Sequence, residues 1–335
     1  MDNTMMQIVA FITSLALSLI VTFILQKKFV PVLRKIKMGQ KILEIGPNWH
    51  KTKEGTPTMG GLFFIGGTLI SVSIFGVWAS LKYDDISVFI VFAMMLLYGA
   101  LGFVDDFVKF TKKQNKGLTP MQKLVFQFLI AADFLASMAL NGKIDTVMHI
   151  PFLDISLDLG IFYWVFSMFF IVFMVNAVNI TDGIDGLAGS VMLIIVLFFS
   201  ALAFVFGNTS FDLNVSKLIL FGALAGGIIS FLTYNMYPAK LFMGDTGSLF
   251  LGGALVGAAY WFNEPLIIVV CGFACVFETL SVVIQVVSYK LTKKRVFKMA
   301  PFHHHLEMSG FNEIKIVRVF ALCTLALCVI SYFGV

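Results

Sequence analysis

Runs of about 20 apolar residues recur from one end of this chain to the other, and a helical run of that length matches a bilayer's hydrocarbon core. The 335 residues are 59% hydrophobic and 13% charged, whereas a soluble domain is roughly 45–50% apolar and about 25% charged. One buried core has no room for so many apolar side chains. The sequence therefore predicts an all-α polytopic membrane protein and excludes a soluble globular domain.

Ten transmembrane spans are predicted, all within a single integral membrane domain over residues 1–335. The spans are 5–26, 59–81, 86–107, 121–140, 160–178, 187–207, 217–237, 247–262, 265–291 and 314–334. The loop 141–159 alternates like a strand and predicts a small hairpin. The first residues lack positive charge, so no cleaved signal peptide is expected. The four cysteines lie in apolar segments and are interpreted as packing residues rather than disulfides.

Lysine and arginine are distributed unevenly between alternate loops. One set of loops with their flanks holds 21 of the 24 basic residues, and the other set holds only Lys82, Lys143 and Lys217. The basic set comprises loops 27–58, 105–123, 179–186, 238–246 and 290–314. Because basic loops remain in the cytoplasm, this set is predicted to be cytosolic. Both termini are then outside, and the hairpin is periplasmic.

Five aspartates fall at the cytosolic ends of the predicted spans: Asp105, Asp106, Asp182, Asp185 and Asp245. Clustered carboxylates repel one another, and each is costly to desolvate near lipid. A divalent cation relieves both costs, and Mg²⁺ prefers carboxylate oxygens together with substrate phosphates. With lysine-rich loops beside them, these acids predict a magnesium-dependent phosphoryl-transfer site at the cytosolic face.

The residues around the aspartates suit a ligand site but also allow plainer interpretations. Asp182 and Asp185 are three residues apart and would share a face on a helical turn. Gly183 lets the backbone come close to a ligand. Asp245 lies between Gly244 and Gly247, and Thr246 and Ser248 open the next predicted helix, whose free N–H groups could bind an anion. A solvated helix end, a turn and an N-cap remain the structural alternatives.

Three further polar features are less specific. The internal run His303–His305 is predicted to bind a sugar or phosphate, with a zinc site or a structural role as alternatives. Glu278 lies mid-span, where an acid is functional by default, although a hinge or a helix–helix hydrogen bond is an equal alternative. Gln285 lies nearer the cytosol and could face the site, and Asp133 has no assigned role.

Six motifs are spread over the whole chain. They are GTPTMGG at 55–61, DD at 105–106, KGL at 116–118, NAVNITDGIDGLA at 176–188, LFMGDTGSL at 241–249 and PFHHHLE at 301–307. With these motifs the chain resembles the bacterial phospho-N-acetylmuramoyl-pentapeptide transferases, within the polyprenyl-phosphate N-acetylhexosamine-1-phosphate transferase superfamily. The DD and NxxDG motifs are superfamily-wide, whereas GTPTMGG and PFHHHLE favour the muramoyl-pentapeptide branch.

The resemblance implies a fold and a reaction. The fold has ten helices, a bent ninth helix beside a groove for the lipid, and a homodimeric assembly. The reaction transfers phospho-MurNAc-pentapeptide from UDP-MurNAc-pentapeptide to undecaprenyl phosphate. It yields UMP and undecaprenyl-diphospho-MurNAc-pentapeptide (lipid I), in the first membrane step of peptidoglycan biosynthesis. The partners are therefore these two substrates and the bilayer of the plasma membrane, with no nucleic acid.

The resemblance also implies roles for individual residues. Asp245 matches the Mg²⁺ ligand, and Asp105 and Asp106 match the catalytic acidic pair. Positions that match substrate-binding or nearby basic residues are Lys53, Thr58, Lys109, Lys116, Lys123, Asn179, Asp182, Gly183, Asp185, Asn235, Phe242, Gln285, His303, His304 and His305. Phe242 is expected to stack on uracil, with a core aromatic as the alternative. A single displacement with Asp105 as base is the hypothesis, and a covalent aspartyl intermediate remains open.

Two other functions are alternatives. One is a sister transferase that uses UDP-N-acetylglucosamine, against which the histidine motif argues. The other is a secondary transporter, a class that often has repeated halves and ionisable residues near the midplane. Here the acids crowd one face and no repeat is visible. The sequence leaves open which pentapeptide is preferred and the oligomeric state.

Overall fold

A computed structural model describes residues 3–35, 53, 55–112, 116–205 and 211–335, without the side chains of 211–213. Most of the predicted basic loop 27–58 and Lys113 lie outside the described residues. Apart from one hairpin, the regular structure within this part of the chain is helical, as predicted.

The helices are, in chain order, α1 (Asn3–Lys35), α2 (Gly61–Ser71), α3 (Val77–Tyr83), α4 (Ser87–Thr111), α5 (Pro120–Leu140), α6 (Ile161–Thr181), α7 (Leu187–Val205), α8 (Phe211–Asn235), α9 (Gly244–Trp261), α10 (Ile267–Cys271), α11 (Phe273–Thr292), α12 (Phe302–Glu307) and α13 (Glu313–Tyr332). A π-helical segment, Val72–Gly76, joins α2 to α3 without a break. The strands are β1 (Val147–Ile150) and β2 (Ile155–Asp158).

Nine helical stretches in the described residues are long and apolar enough to cross a bilayer. They are α1, the joined α2–α3, α4, α5, α6, α7, α8, α11 and α13. The chain is therefore an all-α polytopic membrane protein. The predicted eighth span, 247–262, corresponds to α9, which is too rich in small and polar residues to count by composition.

Helix α9 differs because protein surrounds it. Every residue from Thr246 to Trp261 is buried, and α9 packs against α2, α4 and α6. A helix that faces other helices needs small residues for close approach rather than large apolar ones. A Cβ on Gly102 of α4 would overlap the backbone of Asp245, so this glycine lets α4 touch the start of α9.

The predicted ninth span, 265–291, consists of two helices. The short α10 ends at Cys271, and α11 begins at Phe273 after a turn at Gly272. The predicted hairpin is present between α5 and α6, with Val147 opposite Asp158 and Ile150 opposite Ile155.

Candidate active site

Three aspartates from two helices converge at one end of the bundle. Asp105 and Asp106 are buried near the end of α4, and Asp245 lies in the first turn of α9. One carboxylate oxygen from each lies within 4.8 Å of the others. The close packing of α4 on α9 at Gly102 brings these side chains together.

Two lysines neutralise most of this negative charge. The Nζ atom of Lys109 lies 2.7 Å from Asp105 Oδ2, 3.0 Å from Asp245 Oδ2 and 3.6 Å from Asp106 Oδ1. The Nζ atom of Lys123, near the start of α5, lies 2.6 Å from Asp245 Oδ2 and 3.3 Å from Asp105 Oδ2. We call these five residues the carboxylate cluster. Three carboxylates and two ammonium groups leave it with one net negative charge.

The two acidic neighbours on α4 have different partners. Asp106 caps α9, because its Oδ2 accepts hydrogen bonds from the Thr246 amide (2.9 Å) and hydroxyl (2.8 Å). The anion site predicted at the start of α9 is therefore already partly filled by Asp106. Asp105 Oδ1 accepts a hydrogen bond from the Leu118 amide (2.8 Å), and Lys116 is exposed just before this loop contact.

The end of α6 and the turn after it add Asn179 and Asp182 to the edge of the cluster. Asn179 Nδ2 donates to Asp245 Oδ1 (3.1 Å) and to Ser248 Oγ (2.7 Å). Burial, followed by the carboxylates of Asp245, Asp106 and Asp185, raises the pKa of Asp182 to about 7. Residues 182–186 are not helical, so the prediction that Asp182 and Asp185 share a helical face is wrong. The turn directs Asp185 elsewhere.

Asp185 belongs to a second polar group with Lys53 and Glu313. Lys53 Nζ lies 2.7 Å from Asp185 Oδ1 and 2.7 Å from Glu313 Oε2. Glu313 also accepts a hydrogen bond from the Asp185 amide (3.1 Å), and Asp185 Oδ2 accepts one from the Ala239 amide (2.9 Å). The sequence interpretation missed Glu313. Its signal is an acid in the first turn of the last helix, directly after the N-cap Asn312.

The motif at 55–61 packs on the segment before α9. The Phe242 amide donates to the Pro57 carbonyl (2.8 Å), and the Gly60 amide donates to the Phe242 carbonyl (2.8 Å). Thr58 Oγ1 and Asp106 Oδ2 both lie beside Gly244. Thr58 and the half-buried Phe242 therefore border the carboxylate cluster.

Two candidate binding residues use their polar atoms inside the protein. Asn235 accepts a hydrogen bond from the Gly186 amide (3.1 Å) and donates to the Leu241 carbonyl (2.9 Å). Gln285 accepts hydrogen bonds from the amides of Val296 and Phe297 (both 3.0 Å), and its Nε2 donates to the Phe297 carbonyl (3.0 Å). Both amides fix loops in this structure.

The three consecutive histidines have different surroundings. His303 Nδ1 lies 3.1 Å from Glu278 Oε2, and its ring packs against Gly183. His304 Nδ1 lies 2.6 Å from Glu307 Oε2, and His305 Nδ1 accepts a hydrogen bond from the Lys298 amide (3.1 Å). Within the described ranges, the aspartate trio is the only group with converging metal-ligand atoms. The zinc alternative for the histidines therefore has no support.

These helices and this site define a multi-pass membrane protein that gathers carboxylates and lysines at one end of its bundle. Residues 88–263 match glycosyl transferase family 4, and residues 53–65 match the phospho-N-acetylmuramoyl-pentapeptide-transferase signature 1. The first match spans Asp105, Asp106 and Asp245, and the second contains Lys53 and Thr58.

Curated relatives agree over nearly the whole chain. A phospho-N-acetylmuramoyl-pentapeptide-transferase of Caldanaerobacter subterraneus is 43% identical over 98% of this chain and 99% of its own length. Proteins of the same name from Clostridium perfringens and a Thermoanaerobacter species are 43% and 44% identical over 96% and 98% of this chain, and over 97% and 96% of their own lengths. The chain belongs to the phospho-N-acetylmuramoyl-pentapeptide-transferase family.

Proposed function

We propose that this protein transfers phospho-MurNAc-pentapeptide from UDP-MurNAc-pentapeptide to undecaprenyl phosphate, yielding lipid I and UMP. Family membership supports this reaction, and the carboxylate cluster is the observation that carries it. An acceptor anchored in lipid and a water-soluble donor meet only at the membrane interface. The cluster lies near the end of α4 and the starts of α5 and α9, beside the end of α6, which suits such a meeting point.

The proposed chemistry is one displacement at phosphorus. An oxygen of the lipid phosphate attacks the phosphorus that carries the sugar, and the bond from this phosphorus to the bridging oxygen breaks. UMP leaves with that oxygen and its electron pair. Such a reaction depends on positioning and charge neutralisation more than on a strong base. Lys109 and Lys123 are placed to neutralise phosphate oxygens once substrates displace their carboxylate contacts.

Asp105 is proposed as the base for the lipid phosphate. A phosphate monoester has a second pKa of about 6, so the acceptor needs little help to become an attacking dianion. Asp105 is buried, and its oxygens are already engaged by Lys109, Lys123 and the Leu118 amide. Its contribution is therefore the removal of a residual proton and the placement of the two lysines.

The candidate ligand atoms of the carboxylate cluster fit Mg²⁺. Three carboxylates offer hard oxygen ligands within a small space, and two ammonium groups already stand among them as cations. We propose Asp245 as the ligand, with Asp105 and Asp106 beside it. When bound, the ion would supply positive charge to the phosphate oxygens of the donor.

The remaining substrate contacts are proposals of the same kind. Thr58, Asn179, Asp182, Gly183 and Phe242 lie on or beside the cluster and are placed to contact the donor. Lys53, Asp185, Asn235 and Gln285 bond to neighbouring segments of the chain, and we propose that they shape the donor site. The active site is proposed to face the cytoplasm, and the protein is proposed to form a homodimer.

Release of UMP by the purified protein tests the function. The assay contains undecaprenyl phosphate and either UDP-MurNAc-pentapeptide or UDP-N-acetylglucosamine, each with and without Mg²⁺. We expect UMP only with the muramoyl-pentapeptide donor and only with Mg²⁺. Turnover of UDP-N-acetylglucosamine would identify the sister enzyme. Substrate flux into sealed vesicles without UMP would identify a transporter.

The metal assignment is tested by Asp245→Asn, which we expect to abolish UMP release at every Mg²⁺ concentration. Asp133→Asn is the matched control, because Asp133 is exposed on α5 and lies roughly 15 Å along the helix from Lys123. The control should retain its Mg²⁺ dependence. Near-normal rates in Asp245→Asn would show that another residue binds the ion.

A further inference from the structure

Glu278 is a carboxyl group with no exposed surface, inside the membrane-spanning helix α11. The backbone amide of His303 donates to Glu278 Oε1 (3.1 Å), and Nδ1 of the same histidine lies 3.1 Å from Oε2. A lone acid inside the membrane is costly unless a partner satisfies it. His303 is that partner, and it contacts Glu278 through both its backbone and its ring.

The other end of the His303 ring reaches the turn at Asp182 and Gly183, which is proposed to contact the donor. Its Nε2 is buried and has no hydrogen-bond partner within the part of the chain that the structure describes. A Cβ on Gly183 would overlap this nitrogen, so the ring occupies the space that a side chain at 183 would need. Gly183 is exposed on its other side and directly follows Asp182 at the edge of the carboxylate cluster.

The carboxylate also decides which hydrogen bonds the ring makes. It accepts from both the His303 amide and Nδ1–H, which keeps a proton on Nδ1 and leaves Nε2 as the remaining bonding atom. Glutamine has a single acceptor oxygen. If that oxygen serves the amide, its NH₂ group faces Nδ1 and forces the proton to Nε2.

We infer that Glu278 is a positioning residue for donor binding that acts through His303. It holds the imidazole beneath the Asp182–Gly183 turn, with Nε2 against Gly183, and thereby fixes the exposed turn on which the sugar–phosphate part of the donor is proposed to bind. This inference rests on the proposed function. It assigns Glu278 no contact with the substrate.

A double-mutant cycle tests the inference, using UMP release at varied UDP-MurNAc-pentapeptide. We expect Glu278→Gln to raise the KM for the donor roughly tenfold, as expected for a lost hydrogen bond to a charged group. The kcat should change less than threefold, because the contact is made in the bound ground state. His303→Ala should raise this KM at least as much. Adding Glu278→Gln to His303→Ala should have no further effect.

Two controls separate positioning from stability. Thr279→Val removes a buried hydroxyl that donates to the Cys275 carbonyl in the same turn of α11, and it should leave the KM unchanged. Glu278→Asp retains the charge but shortens the side chain, and it should raise the KM as Glu278→Gln does. If Glu278→Gln fails to fold, the KM of Glu278→Asp for the donor still tests the inference.

The outcomes distinguish the inference from the proposed function. An inactive wild-type protein would refute the function itself. An active wild type with additive effects of Glu278→Gln and His303→Ala would overturn the inference alone. An unchanged KM in folded Glu278→Gln or Glu278→Asp would also overturn it.

Discussion

Lys109 contacts all three carboxylates of the cluster and therefore competes for the oxygens that a divalent cation requires. Replacing Lys109 by glutamine should strengthen the binding of a divalent cation and slow turnover. We expect Lys109→Gln to bind Mn²⁺, a probe for Mg²⁺, roughly tenfold more tightly, a change of about 1.4 kcal/mol. UMP release should fall, because a phosphate-neutralising charge is lost.

Electron paramagnetic resonance of free Mn²⁺ measures the affinity, and the UMP assay measures turnover. Lys143→Gln is the control, since Lys143 pairs with Asp85 (2.9 Å) away from the cluster and should change neither quantity. Weaker Mn²⁺ binding in Lys109→Gln would mean that this lysine organises the carboxylates rather than competing for them.

Asp182 should make the stability of the folded protein depend on pH, with a sign that is unusual for a carboxyl group. Its pKa is raised to about 7 by burial and by its acidic neighbours, whereas an unfolded aspartate has a pKa of about 3.9. Between these values the folded state binds the proton and the unfolded state does not. The stabilisation from this proton is therefore present below pH 4 and is lost as the pH rises to 7.

A bound cation favours the ionised form of Asp182, so a proton on Asp182 opposes cation binding. We expect Mg²⁺ to raise the thermal midpoint of the wild-type protein more at pH 8 than at pH 6. In Asp182→Asn the difference between the increases at the two pH values should be smaller than in the wild type. A wild-type increase that is equal at both pH values would contradict the raised pKa.

The identity of the polar residues was predictable from sequence, but their partners were not. The aspartates were recognisable as candidate functional residues because a carboxylate near lipid is energetically costly. Spacing alone did not reveal that Asp185 turns to Lys53, or that Gln285 is fully used by the backbone of 296–297. Glu313 was missed because an acid beside a basic loop resembles a solvated helix end.

At the element scale, helix packing explains where prediction of the spans succeeded. Long, strongly apolar runs identify nine of the spans, including α8, most of whose residues are buried inside the protein. Helix α9 is enclosed by other helices, so its glycines and alanines carry little of that signal. The pattern of apolar residues did not predict the helix break at Gly272, because α10 and α11 are both apolar.

The contact between α1 and α8 depends on glycine at the helix interface. A Cβ on Gly226 would overlap the Leu15 carbonyl oxygen, which is backbone that has no room to rotate away. We expect Gly226→Ala to destabilise the protein by about 1–3 kcal/mol, as overpacking does. The thermal midpoint in detergent should fall, and the KM for the donor in the surviving protein should not change.

Gly66→Ala is the matched control on α2. Its Cβ would meet only the flexible end of Leu25, at 3.1 Å, so the side chain has room to move. The thermal midpoint of Gly66→Ala should stay near that of the wild type. Equal destabilisation by both substitutions would attribute the effect to glycine replacement in general rather than to the α1–α8 contact.

At the scale of the whole molecule, the site and the hairpin lie at opposite ends of the bundle. Lys123 near the start of α5 and Asn179 near the end of α6 both contact Asp245. The hairpin β1–β2 joins the other ends of these two helices. This arrangement agrees with the basic-residue pattern, which assigned the two ends to different compartments without any reference to the aspartates.

Cysteine labelling in intact cells tests this orientation. Lys112→Cys marks the exposed end of α4 beyond the cluster, and Leu153→Cys marks the exposed turn of the hairpin. A membrane-impermeant maleimide should label Leu153→Cys in intact cells and Lys112→Cys only after permeabilisation. The wild-type chain, with its own four cysteines, gives the background. Because a charged nucleotide donor does not cross the bilayer, labelling of Lys112→Cys from outside would place the cluster out of reach of its cytosolic substrate.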